Sequence, residues 1–350
     1  MINTIGVPRE IKNNERRVGM TPSGVSLIKS TYQNLVKIFI EKNAGVGSGY
    51  YDNDYIAAGA KIVDNVYDNA RLIVKVKEPQ TSEIDLINDK HVLFCYLHLA
   101  ASKTLTRALL GTKCVALAYE TLVVNNKTPL LSPMSDVAGR VAVQRGSMFL
   151  PKLLSGVVGV PNAHVMVIGA GVVGTSVAET AKGMGAHVTV VDTSIDALKQ
   201  IAPMCVVTVL CDSITGKLLE DVDMLIGAVH SPGKKAQRVV SSRAMSYMKR
   251  GSVAVDVSID QGGCFEGSHA TSHDEPTYDL NGITYYCVPN LPAVVPHTST
   301  RALCNATLPW VKKLVTSEFD AIHYDMFSGA LNLHDGEIMN KAVKDAYDGT

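Results

Sequence analysis

The stretch from Val165 to Asp192, VMVIGAGVVGTSVAETAKGMGAHVTVVD, constrains the fold more than any other in the chain. Residues 165–168 are a short apolar run that reads as a buried parallel strand. It runs straight into Gly169-Ala170-Gly171-Val172-Val173-Gly174. A helix-forming segment follows to about Gly185, and a second apolar run, 188–191, ends in Asp192. The glycines have separate jobs. Gly169 makes the turn, Gly171 lets the backbone approach a pyrophosphate, and Gly174 lets the helix sit close to the strand. Amide N–H groups at the helix start would hold the phosphates, so the whole turn is the expected cradle. Asp192 lies 18 residues after Gly174, placed to accept hydrogen bonds from a ribose diol. Its charge would repel a 2′-phosphate, and no arginine follows within residues 193–198, so NAD is expected over NADP. A glycine turn used only for packing is the competing reading; the flanking strands and the acid favour the nucleotide.

At 350 residues the chain is long for one core and suits two domains. Lys+Arg and Asp+Glu are both 33, and this balance argues against nucleic acid or another polyanion as partner. No apolar run reaches the roughly 18 residues needed to span a membrane, so none is expected. The N-terminus, MINTIGVPREIKNNERR, lacks an apolar signal core. Seven cysteines (Cys95, Cys114, Cys205, Cys211, Cys264, Cys287 and Cys304) are scattered, with no Cys-x-x-Cys pair. A reduced, cytoplasmic protein with no metal site is the expectation.

Before the glycine turn, apolar runs at 4–7, 35–40, 72–76, 92–96 and 114–118 alternate with helical patterns such as 22–29 and 102–110. Such alternation predicts a parallel sheet with helices on its faces. Gly45, Gly47 and Gly49 fall in a turn-rich stretch without strand-to-helix context and read as a loop. Residues 135–154 suit a long helix, begun by Ser135 and Asp136, that carries the chain between domains. Beyond the glycine turn, runs at 206–210, 224–228, 253–257 and 284–288 complete six strands, a doubly wound nucleotide fold. From Ser299 to about Leu314 the pattern is helical, 317–329 looks weakly ordered, and a last helix is expected near 336–347. These helices have no sheet of their own, so they should pack back on the first domain. The expected architecture is α/β: two Rossmann-like domains, each a mostly parallel sheet flanked by helices, with the active cleft between them. The first would be 1–130 with 297–350, and the second, nucleotide-binding, 131–296.

Four places invite chemistry. In Lys12-Asn13-Asn14-Glu15-Arg16-Arg17, Arg17 could grip a carboxylate with two parallel hydrogen bonds, or the run is a solvated charged face. Lys77 ends a strand just before Pro79, with Lys75 on the same face as the bland competitor. His98 closes an apolar strand, either as a satisfied core histidine or as the side chain best suited to pass protons near neutral pH. Asp260 follows a buried strand and precedes Gly262-Gly263, as a turn acid or as a working one. Asp256 and Cys264 read as structural. No Ser-His-Asp order, no H-E-x-x-H and no Gly-Lys-Ser/Thr loop is present. Chemistry should then come from the cofactor, with the protein positioning groups and moving protons.

These residues resemble the alanine dehydrogenase and nicotinamide nucleotide transhydrogenase alpha-subunit family. The matching stretches are PREIKNNERRVGMTP, VKVKEP, CYLHLAAS, LLSPMSDVAGR, VIGAGVVG, VDVSIDQGGCFEGS and YCVPNLPAVVPHTSTRALCNATLP. They run from residue 7 to about 309, and DQGG is the alanine dehydrogenase form. The resemblance implies that Arg17 and Lys77 hold the substrate's carboxylate and carbonyl. It implies that His98 is the acid/base and that Asp260 assists with water and proton transfer. Ser135, Asp192, Asn290 and Leu291 match positions that touch the nucleotide. The implied activity is NAD-dependent, reversible oxidation of L-alanine to pyruvate and ammonia by a homo-oligomer, often a hexamer in that family. A non-catalytic nucleotide-binding homologue and a transhydrogenase-like subunit are the alternatives. The presence of Arg17, Lys77, His98 and Asp260 together argues against both. The chain departs from the pattern at Asp136, where glutamate is usual, and at His297, where lysine is common. It is also shorter at 153–161, around 204–223 and at the C-terminus.

Overall fold

Short apolar runs bounded by turn residues become fifteen strands among the residues described by the computed structural model, which are 2–204, 206–229, 236–316 and 327–349. The first six are β1 (Thr4–Val7), β2 (Lys37–Glu41), β3 (Lys61–Val63), β4 (Leu72–Val74), β5 (Val92–Cys95) and β6 (Val115–Ala118). The next seven are β7 (His164–Ile168), β8 (His187–Asp192), β9 (Val207–Leu210), β10 (Met224–Gly227), β11 (Val253–Asp256), β12 (Thr277–Leu280) and β13 (Ile283–Tyr286). Near the end come β14 (Leu331–His334) and β15 (Glu337–Ile338). They form two sheets in two compact units, Met1–Met134 with Val295–Thr350, and Ser135–Val294.

In the first unit the order is β3-β2-β1-β4-β5-β6-β14-β15. From β3 to β6 the strands are parallel, and β4, β5 and β6 are wholly apolar and buried, as strands covered on both faces must be. In the second unit it is β9-β8-β7-β10-β11-β13-β12, parallel except for β12. Each sheet therefore reverses its strand order once, between β1 and β4 and between β7 and β10. Side chains such as Ile73, Leu93, Leu109 and Leu333 form a core of the first unit, and Met166, Leu225, Phe265 and Tyr285 belong to one in the second.

The end of the chain departs from expectation. It supplies two strands as well as helices: β14 adds antiparallel to β6 and turns back through Asp335-Gly336 into β15. Both turn residues have positive φ, 46° and 79°, the conformation of the tightest hairpins, which Asp-Gly favours. The last helix therefore starts later, at Lys341, capped by the Asn340 side chain. β12 was likewise unexpected; it pairs with β13 through Asn281-Gly282, again with positive φ at both positions. The long helix starts earlier than expected, at Ser132, and ends at Phe149, so Ser135 and Asp136 sit inside its first turns. Cys205 and residues 317–326, part of the stretch read as weakly ordered, lie outside the described residues. Among the described residues no helix is long and apolar enough to cross a membrane.

Candidate functional site

β7 passes into the Val172–Gly183 helix within three residues, Gly169 to Gly171. Gly169 has φ 105°, and a Cβ there would lie 2.5 Å from the Ala228 carbonyl oxygen. A Cβ on Gly174 would fall 1.7 Å from the Gly169 carbonyl oxygen, so only glycine lets the helix sit this close. Among the described residues nothing lies within 4 Å of the Cβ position of Gly171, which leaves the backbone open to them on that side. Among the described residues no side chain caps the helix at Gly171. Its first-turn N–H groups, on Val172, Val173 and Gly174, are donors of the kind that hold phosphates. Ala170 is buried in the turn. The donor set and the room above Gly171 fit a dinucleotide pyrophosphate.

Asp192 ends β8 beside this turn. Its Oδ2 accepts the Ala170 N–H (2.6 Å) and its Oδ1 accepts the Ser194 N–H (2.7 Å). Its first visible task is thus to brace the glycine turn. Further along the same sheet edge, Asp260 follows β11 and Asn290 follows β13. The exposed Asp260 accepts the Asn290 N–H at Oδ2 (3.1 Å), and Asn290 has φ 56°. Leu291 beside it is buried. Ser135 is half-buried in the long helix. Asp256 is structural: its two buried oxygens accept from the N–H groups of Ser258, Cys264 and Phe265 and from the Ser268 hydroxyl. Burial, with the Asp256 charge, pushes the Cys264 thiol well up, so it is no nucleophile at neutral pH.

The first unit builds a different edge. β1, β4, β5 and β6 lie side by side, and among the charged or titratable groups past their carboxyl ends one from each segment stands out. These are Arg17, Lys77, His98 and Glu120. The run from Lys12 to Arg17 is not one solvated face, because Glu15 and Arg17 turn inward and Arg17 is only 2% exposed. The two-pronged contact expected of Arg17 is made to Glu15: Nε donates to Oε1 (2.7 Å) and Nη2 to Oε2 (2.5 Å). Nη1 lies 3.1 Å from Met134 Sδ. Burial works to raise the Glu15 carboxyl, but the Arg17 bonds and charge, helped by Lys77, hold it at about 2.

Lys77 is half-buried past β4, with its backbone N–H 3.4 Å from Glu10 Oε2. Lys75 has a different role. It is buried between Glu83 (2.7 Å) and Glu10 (3.5 Å), an internal ion cluster out of reach of solvent. Burial raises the Glu10 carboxyl against the pull of Lys75. His98 is no core histidine: its side chain is 49% exposed. The strand's apolar side chains stop at Leu97, and His98 takes φ 50°, which turns it out of the sheet. Its ring stacks on that of Tyr96 at 6.0 Å.

Sequence reasoning missed the acids behind these groups. Glu120 accepts the His98 N–H (2.6 Å) and the Leu97 N–H (3.2 Å), and lies 4.0 Å from His98 Nδ1. Glu10 accepts the Val76 N–H (2.7 Å) beside Lys77. Glu15 backs Arg17. Each candidate side chain is thus mounted on a glutamate. The available signal was weak: an acid within a few residues of the end of a buried strand.

Comparison with known proteins places these features. Residues 6–138 match the family model "Alanine dehydrogenase/PNT, N-terminal domain", and residues 137–341 match "Alanine dehydrogenase/PNT, C-terminal domain". The alanine dehydrogenase of Halomonas elongata is 44% identical, over 98% of this chain and 96% of that one. That of Mycolicibacterium smegmatis is 43% identical over 97% and 95%. A solved L-alanine dehydrogenase superposes with a TM-score of 0.94 at 41% identity, covering 99% of both chains. A transhydrogenase from Sinorhizobium meliloti shares the fold, with a TM-score of 0.87 at 23% identity over 97% of this chain and 100% of that one. With both family domains matched along nearly its whole length, this chain belongs to the alanine dehydrogenase/PNT family.

Proposed function

We propose that this protein is an NAD-dependent L-alanine dehydrogenase. It converts L-alanine, water and NAD⁺ reversibly to pyruvate, ammonium, NADH and a proton. The observation that carries the reading is the row Arg17, Lys77, His98 and Glu120 past four neighbouring strands. A protein that only binds nucleotide has no use for it.

NAD, when bound, supplies the acceptor for the hydride. The chain's own residues do the rest. Arg17, always charged and fixed by Glu15, holds the substrate carboxylate. Lys77 orients the carbonyl oxygen or the nitrogen that replaces it. Oxidised alanine is an imine, which water must attack before ammonia leaves, and both steps move protons. His98 takes the proton from water at a ring nitrogen and returns it to the departing amine. Glu120, nearest Nδ1, favours the tautomer protonated there and leaves Nε2 as the base. Asp260 assists with the water and the proton. On the nucleotide side, Gly169, Ala170, Gly171, Val172, Val173 and Gly174 hold the pyrophosphate, and Ser135, Asn290 and Leu291 line the nucleotide. Asp192 binds the ribose hydroxyls and disfavours NADP. A homo-oligomer, up to a hexamer, is supported by the exposed side chains of Val157, Val158 and Val160, which form an apolar patch suited to a second copy. A cytoplasmic location is supported by the six described cysteines, all free thiols.

NADH absorbance, followed with pyruvate and ammonium together and each alone, tests the reading. Consumption that needs both is expected, with NADPH a poor substitute. NADH binding without consumption would leave a nucleotide-binding homologue. Hydride passed to a second nucleotide without pyruvate would leave a transhydrogenase-like subunit.

A further inference from the structure

The stretch Gly45-Val46-Gly47-Ser48-Gly49 lies in the connection between β2 and the Asp52–Ala57 helix, and it is built tightly. It forms a 3₁₀ turn, Val46–Ser48, pressed against the segment that carries Arg17. A Cβ on Gly47 would lie 2.7 Å from the Arg16 carbonyl oxygen, and one on Gly45 would lie 2.7 Å from the Tyr55 ring. The Tyr55 hydroxyl in turn donates to the Met20 carbonyl (2.9 Å).

Two hydroxyls complete the mount. Ser48 and Thr300, the latter on the Pro296–Thr316 helix, are buried, with their oxygens 2.7 Å apart. The Val18 N–H donates to Thr300 Oγ1 (3.1 Å), and the Ser48 hydroxyl donates to the Arg16 carbonyl (2.9 Å), with the Pro296 carbonyl a longer 3.3 Å away. Each hydroxyl has one proton, and one arrangement satisfies the three shorter bonds, leaving the Pro296 carbonyl only the longer contact. Val18 N–H gives to Thr300, Thr300 O–H gives to Ser48, and Ser48 O–H gives to Arg16 C=O. This chain of three bonds spans Arg17 from the peptide on one side to the peptide on the other.

We propose that the Ser48–Thr300 hydroxyl bridge is a positioning device for Arg17. The glycine-rich turn brings Ser48 close enough to make it. The proposal rests on the reading of Arg17 as the carboxylate grip. A grip that acts alike on substrate and transition state is felt in KM and not in kcat. Thr300→Val keeps the shape and removes two of the three bonds.

The test measures KM for pyruvate, kcat, NADH affinity and melting temperature for Thr300→Val, Thr300→Ser, Ser48→Ala and Arg17→Lys. Thr300→Val should raise KM about five- to thirtyfold, with kcat and NADH affinity within about twofold. Thr300→Ser, which restores the hydroxyl, should return KM to near the parent value. Ser48→Ala, breaking the bridge from the other side, should reproduce the rise, and it decides the matter if Thr300→Val does not fold. A lower melting temperature with unchanged KM in both bridge variants would overturn the proposal, as would Thr300→Ser behaving like Thr300→Val. If Arg17→Lys itself leaves KM unchanged, the carboxylate reading fails first and takes the bridge with it.

Discussion

The two sheets of this chain run six of their strands in the same order, β3-β2-β1-β4-β5-β6 and β9-β8-β7-β10-β11-β13, yet their reversal points carry opposite chemistry. In the second unit only residues 169–171 separate β7 from its helix, and the turn offers backbone: glycines without Cβ and N–H groups at a helix start. In the first unit residues 8–21 separate β1 from its helix. That longer segment brings Glu10, Glu15 and Arg17 in over the sheet edge. A pyrophosphate spreads its charge over many oxygens and is well served by a row of amides. A small 2-oxo acid presents one carboxylate and one reacting carbon, and needs charged side chains held at fixed points. One topology thus carries either kind of edge, backbone groups after a short first connection and charged side chains after a long one.

The largest effect is expected at His98. His98→Ala should cut turnover by about 10²–10⁴, the usual worth of a positioned acid/base. Steady-state rates with saturating pyruvate and ammonium check it, and near-normal turnover would leave His98 without a role. Glu15→Gln comes next, because it leaves the Arg17 charge buried without its partner. The expected cost is about 3 kcal/mol at pH 7. The pH dependence follows from the depressed carboxyl. Its ordinary value is 4.5 and its value in the fold is about 2. The pair's contribution is therefore complete above about pH 4.5 and is lost as the pH falls towards 2. Unfolding of parent and variant at a series of pH values should show the gap closing on the acid side; a constant gap would contradict the ion pair.

How far the sequence reveals this contrast differs between the two edges. The geometry of the glycine turn was legible residue by residue, because close backbone approach leaves a mark in residue type: a Cβ at Gly169 or Gly174 would strike a carbonyl oxygen. Arg17, Lys77 and His98 were legible as candidates, but not which of them were buried. Burial depends on how residues 8–21 fold back, and no local pattern states that. Their partners Glu10 and Glu120 were invisible for the same reason, being contacts between separate segments, and Glu15, though only two residues from Arg17, was invisible because nothing local says that both turn inward. Both hairpins were missed although Asn281-Gly282 and Asp335-Gly336 carry the strongest short-range turn signal. The strands they join are short, and β12 alternates too weakly in burial to stand out.

Arg17→Lys has a smaller expected effect. Lysine keeps the charge but cannot satisfy Glu15 and a substrate carboxylate at once, so KM for pyruvate should rise about ten- to hundredfold. An unchanged KM would return Arg17 to a purely structural pairing with Glu15. The smallest effect is at Asp192. Asp192→Ala removes both the brace on the Ala170 N–H and the repulsion of a 2′-phosphate. The NADH-over-NADPH preference in catalytic efficiency should narrow about tenfold. A preference that does not move would place cofactor selection elsewhere.

If the proposed function holds, the two sheet edges divide the work, nucleotide at one and proton and substrate chemistry at the other. A fluorescence titration of NADH into Gly174→Ala and His98→Ala, side by side, tests it most directly. The added methyl at Gly174 meets a carbonyl oxygen of the turn, and NADH affinity should fall about ten- to hundredfold. His98→Ala should bind NADH within about twofold of the parent while failing to turn over. Equal loss of NADH binding in both variants, or none in either, would contradict the division.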